Sequence, residues 1–217
     1  MAVVVGLVLS GCSLVDRFTG DPPVPELSES SLDRLLLSER QINEIVGGPD
    51  ARVTFEGEEL ADTADVVSDR DCLGVVFDGE ERVYRGSGVT AQRREELEDE
   101  DQAESLITQT VVLFSSADRA RQFFDDSVRQ WQECANTSLD RTLDDGTDIA
   151  IDIRDVGNPR EDVVSVTIAF PNSDCSHAMG VVSNLVAEAR DCGGSAGEAE
   201  TIATTIIDNA ADTARAQ

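Results

Sequence analysis

One histidine, five cysteines and a large excess of carboxylates are the side chains with which this chain could do chemistry. His177 would have to serve any general-base role without a second imidazole. A nucleophile–base pair would set it beside a serine or a free cysteine. Cys175 lies two residues away but is expected to be oxidised, so His177 reads as a surface or hairpin residue. Cys175 and His177 are also too close to be a usual zinc pair, and no C-x-x-C occurs. All 17 basic residues are arginine, so lysine Schiff bases and lysine-dependent phosphate loops are excluded. Gly86-Ser87-Gly88 lacks the longer glycine pattern of such a loop. The acidic runs Glu95-Glu96-Leu97-Glu98-Asp99-Glu100-Asp101 and Asp144-Asp145-Gly146-Thr147-Asp148 have no EF-hand spacing and read as solvated surface. One tryptophan and one tyrosine give few platforms for a sugar. The reading is therefore no catalytic residue, no metal and no cofactor.

The cysteines have a different chemistry. Ala2–Leu9 is an apolar run too short to span a bilayer but suited to a secretory signal. Leu9-Ser10-Gly11-Cys12 then resembles the lipobox of bacterial lipoproteins, which implies cleavage before Cys12 and a diacylglyceryl group on its sulfur. No Lys or Arg precedes the apolar run, so the start of translation is expected further upstream. With Cys12 acylated, Cys72, Cys134, Cys175 and Cys192 form an even set in an exported chain, which implies two disulfides. Three connectivities are open. Proximity in sequence favours Cys72–Cys134 with Cys175–Cys192.

Charge sets the partners. With 44 acidic and 17 basic residues, the net charge is −27. Such a chain repels phosphates, so nucleic acid is excluded as a partner. Ser13–Ser31 carries Pro22, Pro23 and Pro25 and reads as a stiffened tether. Anionic headgroups would repel its acidic residues, so the lipid is expected to be the contact with the membrane.

The elements follow from periodicity. A helix is expected over Leu35–Gly48, with capping-box spacing at Ser38 and Gln41 and a stop at Gly47-Gly48-Pro49. Ala51–Leu60 reads as a strand around Val53 and Phe55. Asp71–Tyr84 is ambiguous between a helical turn and a strand edge. Tyr84–Gly88 leads into another strand, and Glu95–Glu104 reads as a solvated hairpin loop. Leu106–Phe114, rich in β-branched residues, should be a central strand. A helix capped by Ser115 or Ser116 then places Ala120, Phe123, Phe124, Val128 and Trp131 on one face, with Trp131 in the core. Thr137–Leu143, Thr147–Val156 and Asp162–Phe170 read as strands, turning at Asp144-Asp145-Gly146 and at Val156-Gly157-Asn158-Pro159. Ala178–Val182 and Leu185–Ala189 form a hairpin across Ser183-Asn184. A last helix starts at Ser195 and Glu198, again with capping-box spacing. The fold class is α+β: a single disulfide-stabilised domain with an antiparallel β-sheet and packed α-helices.

The order of short landmarks adds a resemblance. Leu35–Gly47 comes first, then Asp71-Cys72-Leu73-Gly74 and Tyr84-Arg85-Gly86-Ser87-Gly88. Val111-Val112-Leu113-Phe114 runs into the Phe123-Phe124 helix, which Trp131-Gln132-Glu133-Cys134 closes. Cys175, the Val181–Val186 hairpin, Cys192-Gly193 and an Ala/Ile-rich last helix follow. This set resembles the PknH-like extracellular sensor domain of a mycobacterial serine/threonine kinase and of actinobacterial lipoproteins. The resemblance covers roughly Leu35 to Ala214. It implies an antiparallel sheet with packed helices, two disulfides and a ligand cleft whose residues are unassigned. The chain has no H-R-D run, so signalling is expected to pass through another protein.

The organisation expected is a signal peptide over residues 1–11, a lipidated Cys12 and tether over 12–34, and a sensor domain over 35–217. The function expected is a lipid-anchored binding domain on the extracytoplasmic face of the cell membrane. It would take a small molecule or an envelope component and have no catalysis of its own. The alternative is an envelope lipoprotein that binds another protein and no small ligand.

Overall fold

A computed structural model describes residues 22–47, 51–99, 105–194 and 197–217. The expected signal peptide and Cys12 lie outside the described residues, as do Ser195 and residues 13–21 of the tether. Five helices are described: α1 (Glu39–Val46), α2 (Leu73–Val76), α3 (Glu81–Tyr84), α4 (Ala117–Cys134) and α5 (Glu198–Arg215). Eight strands are described: β1 (Arg52–Gly57), β2 (Val89–Glu98), β3 (Leu106–Phe114), β4 (Ser138–Thr142), β5 (Asp148–Arg160), β6 (Val163–Ala169), β7 (Asp174–Val182) and β8 (Leu185–Cys192). They form one sheet in the order β1-β2-β3-β8-β7-β6-β5-β4, and every neighbouring pair is antiparallel. The α+β class holds.

Each face of the sheet carries a core, because both are covered. On one face α4 buries Ala120, Phe123, Phe124 and Trp131 against Val112, Phe114, Val164 and Met179. On the other, α5 buries Ala199, Ile202, Ala203, Ile206, Ile207 and Ala210. The strands beneath α5 offer Ala178, Gly180, Ala187 and Ala189. These small residues let the helix approach closely: a Cβ at Gly180 would stand 3.1 Å from Ile207. The central strands β3 and β8 are buried on both faces, their polar residues included.

Three side-chain amides fasten the segments that lack ladder partners. Asn184 accepts from the Leu27 N–H at 2.7 Å and donates to the Leu27 carbonyl at 3.1 Å. Gln109 does the same for Leu37, at 2.8 Å in each direction. Asn43 holds Ala51, at 3.0 and 3.2 Å. Leu27 and Leu32 are consequently buried. Residues ahead of Leu35, Leu27 and Leu32 among them, thus pack into the core that α5 covers.

Several local expectations are corrected. The first helix begins at Glu39; Ser38 is its cap, with its N–H and hydroxyl both donating to Gln41 Oε1, at 3.1 and 2.7 Å. Glu95–Glu98 extend β2, paired to Leu106–Gln109. Their carboxylates are matched there, Glu96 by Arg94 and Glu95 by the Gln109 amide. Val156–Pro159 lies inside β5, and the turn falls at Glu161-Asp162. Pairing with β4 ends at Asp152, and the register with β6 shifts between Gly157 and Arg160. A proline lacking its N–H is tolerated at such an open edge and bulge. The ambiguous Asp71–Tyr84 resolves into helical turns, including α2 and α3. Gly197, at φ 103°, caps α5. Val53 and Phe55 of β1 are exposed, Phe55 to 40%.

Candidate functional site

The face of the sheet beneath α4 is not uniformly apolar. Alternation along each strand sends Thr108 and Thr110 of β3, Glu188 and Arg190 of β8 and His177 of β7 to that face. Arg94 and Glu96 of β2 extend the row. The segment 77–84 lies over it and contributes Asp78 and Tyr84, both buried.

Glu188 is the hub. Its Oε1 accepts from the Tyr84 hydroxyl at 2.5 Å and from the Gly79 N–H at 3.0 Å. Its Oε2 faces His177 Nε2 at 3.0 Å. His177 Nδ1 lies 2.8 Å from the Val75 carbonyl, and a carbonyl only accepts, so Nδ1 carries a proton. Beside this dyad, Asp78 accepts from Thr108 at 2.6 Å and Thr110 at 3.0 Å. Burial pushes the Asp78 carboxyl up, but Arg190, His177, Arg94 and the Thr108 hydroxyl together hold it below the ordinary aspartate value. Tyr84 is held well above the usual phenol range by burial and by the charge and hydrogen bond of Glu188.

This corrects the reading of His177 as a surface residue. It is 0% exposed, and the Trp131 ring covers it at 4.5 Å. The dyad has two members of a catalytic triad in form, yet both imidazole nitrogens are engaged. The nearest cysteine in sequence, Cys175, is in a disulfide. The dyad ties β7, β8 and the 75–84 segment together.

Both disulfides follow the nearest-neighbour pairing. Cys72–Cys134 joins the start of α2 to the end of α4, and Cys175–Cys192 bridges β7 and β8. Trp131 is buried as expected. Asp144–Asp148 form the β4–β5 turn, and Gly86–Gly88 precede β2. Among the described residues no cluster could hold a metal ion.

A pocket that a ligand could enter lies beside the buried network. It is a cavity of about 340 Å³ at the sheet end where β3 begins and β8 ends. Leu106, Leu143, Ile149 and Phe170 supply apolar wall, the Phe170–Ser173 turn a rim, and the Cys175–Cys192 disulfide one flank. Arg141 and Arg190 line it. Their guanidinium carbons lie 5.4 and 5.2 Å from the Phe77 ring centroid, and Arg141 also lies 5.9 Å from Phe170. Arg190 Nε sits 3.4 Å from Asp78 without hydrogen-bond geometry, and both Nε atoms are buried with no acceptor among the described residues. Burial, then the neighbouring Arg190, lowers the Arg141 pKa below its ordinary value.

Sequence reasoning did not single out this set. The available signal was polar residues two apart inside apolar strands: Thr108 and Thr110, Glu188 and Arg190. Such spacing places both on one buried face.

Comparison with known proteins agrees with the fold. Residues 27–212 match the model of the PknH-like extracellular domain family. The serine/threonine-protein kinase PknH of Mycobacterium bovis is 29% identical over 213 residues, 95% of this chain and 36% of that protein. PknH of Mycobacterium tuberculosis strain H37Rv is also 29% identical, over 95% of this chain and 34% of that kinase. The chain thus spans about a third of the length of these relatives. The crystal structure of the extracellular domain of PknH from M. tuberculosis superposes with a TM-score of 0.80 at 28% identity, covering 88% of this chain and 99% of that one. Taken with the eight-stranded sheet and its two disulfides, these matches place the chain in the PknH-like extracellular domain family.

Proposed function

We propose that the chain is a sensor-like binding domain on the extracytoplasmic face of the membrane, anchored by lipid on Cys12, with no catalysis of its own. It takes a small molecule or envelope component in the pocket between the β4–β5 hairpin and the β6–β7 turn. The signal then passes to another protein. The observation that carries this reading is the pocket: an apolar cavity of about 340 Å³ with two arginines that lack acceptors on Nε. Cavities with apolar walls and a few convergent polar groups are the usual form of small-molecule sites.

Hydrogen exchange tests it. On adding mycobacterial envelope extract, amides of Phe170–Cys175 and Arg190–Cys192 should become several-fold slower to exchange, while β1 and β2 stay unchanged. No protection in those segments would contradict the reading. The anchor has its own test. A Cys12→Ala chain should leave the membrane fraction of an expressing bacterium; its retention there would contradict lipidation at Cys12.

The second reading, a protein-binding lipoprotein without a ligand, is favoured by the net charge of −27. It predicts a basic partner whose association weakens steeply with salt.

A further inference from the structure

We infer that the pocket ligand is a single-tailed amphipathic anion, its charged head held between Arg141 and Arg190 and its apolar body laid along Leu106, Leu143, Ile149 and Phe170. The inference rests on the binding-pocket reading above and adds the chemical class. Arg190 has a side chain 8% exposed, and its buried Nε has no hydrogen-bond acceptor among the described residues. Its ionic neighbour Asp78 is already engaged by Thr108 and Thr110. Arg141 has no ion pair among the described residues, and its Nε is likewise buried without an acceptor. Both guanidinium groups lie near one ring, Phe77, and Arg190 is near enough for its charge to lower the Arg141 pKa. Both side chains line the cavity, and the guanidinium charge they present there would be met by a carboxylate, sulfate or phosphate monoester with charge-assisted bonds. The rest of the lining is mainly apolar, which suits an alkyl or acyl body and excludes a small hydrated ion. The surrounding protein is strongly acidic and would be repelled by an anionic bilayer. A free molecule is therefore the occupant, in preference to a lipid still packed in a membrane.

Titration calorimetry with octanoate and 1-octanol at matched ionic strength tests the inference without any variant. Octanoate should bind at least tenfold more tightly than 1-octanol. Arg141→Gln should erase most of that preference while leaving 1-octanol affinity within about twofold. The Nε–H resonances of Arg141 and Arg190 in the unaltered chain should move with octanoate and not with 1-octanol. Equal affinity for the two probes would overturn the anionic class and leave the pocket reading standing. Binding of neither would overturn both. Co-sedimentation with phosphatidylglycerol vesicles that depends on Arg141, with no octanoate binding, would overturn the free occupant in favour of a membrane-held one.

Discussion

Glu188 meets partners from three directions at once, accepting from the Tyr84 hydroxyl and the Gly79 N–H and facing His177 Nε2. Removing it strands the Tyr84 hydroxyl, the Gly79 N–H and His177 Nε2 in a space closed to water. Breaking a buried charged network by deleting one member typically costs about 3–5 kcal/mol. Glu188→Ala should therefore lower the urea midpoint sharply with the slope unchanged; a loss below about 1 kcal/mol would show that the network is not tensioned as described. A second residue-scale prediction concerns pH. A Cβ at Gly194 would stand 2.1 Å from both Asp191 Oδ2 and Glu198 Oε2, so these carboxyls face each other across a glycine. Burial, with the hydrogen bond and charge of Glu198, pushes Asp191 up to about 8. The folded chain then keeps a proton, between about pH 4 and pH 8, that the unfolded chain has lost. Stability from this pair is present below about pH 4 and falls as pH rises through 8, by at most about 1.4 kcal/mol per pH unit. Asp191→Asn should flatten that decline in melts run from pH 5 to 8. An unaltered decline would place its origin elsewhere. Neither feature was legible in the sequence, because Asp191 and Glu198 are on different elements and His177 looks the same whether buried or exposed.

At the scale of elements, legibility followed local determination. β3 begins and ends where its β-branched run does, at Leu106 and Phe114. α4 starts at the serine cap, with the Arg119 N–H donating to Ser116 Oγ at 3.3 Å. Both are long, and their periodicity is set by burial on a known face. Elements decided by distant partners were misread. Glu95–Glu98 are acidic and yet pair in β2, because Arg94 and Gln109 from the sheet match their charge. Val156–Pro159 carries turn residues and yet lies in β5, because a bulge and an unpaired edge accept them. The close seating of α5 gives a prediction at this scale. A Cβ at Gly180 already reaches Ile207 at 3.1 Å, so Gly180→Val should push the helix off β7 and cost about 1–3 kcal/mol by overpacking. Thermal unfolding would read the loss; an unchanged midpoint would mean that α5 shifts freely.

For the molecule as a whole, the sheet order carries the functional consequence. β3 pairs with β8, some eighty residues later, and that pairing brings Leu106 to the same pocket as Arg190 and Cys192. Pattern and spacing indicated strands and hairpins but did not indicate this long-range neighbour, so the α+β class could be read and the pocket could not. The cysteines were the exception, since the connectivity favoured by proximity in sequence is the one formed. The most direct measurement is native mass spectrometry of the chain after incubation with mycobacterial envelope extract. The account predicts one discrete adduct, released on gentle activation and missing from a Leu143→Trp chain whose pocket is filled. No adduct, or an adduct that persists in Leu143→Trp, would contradict it.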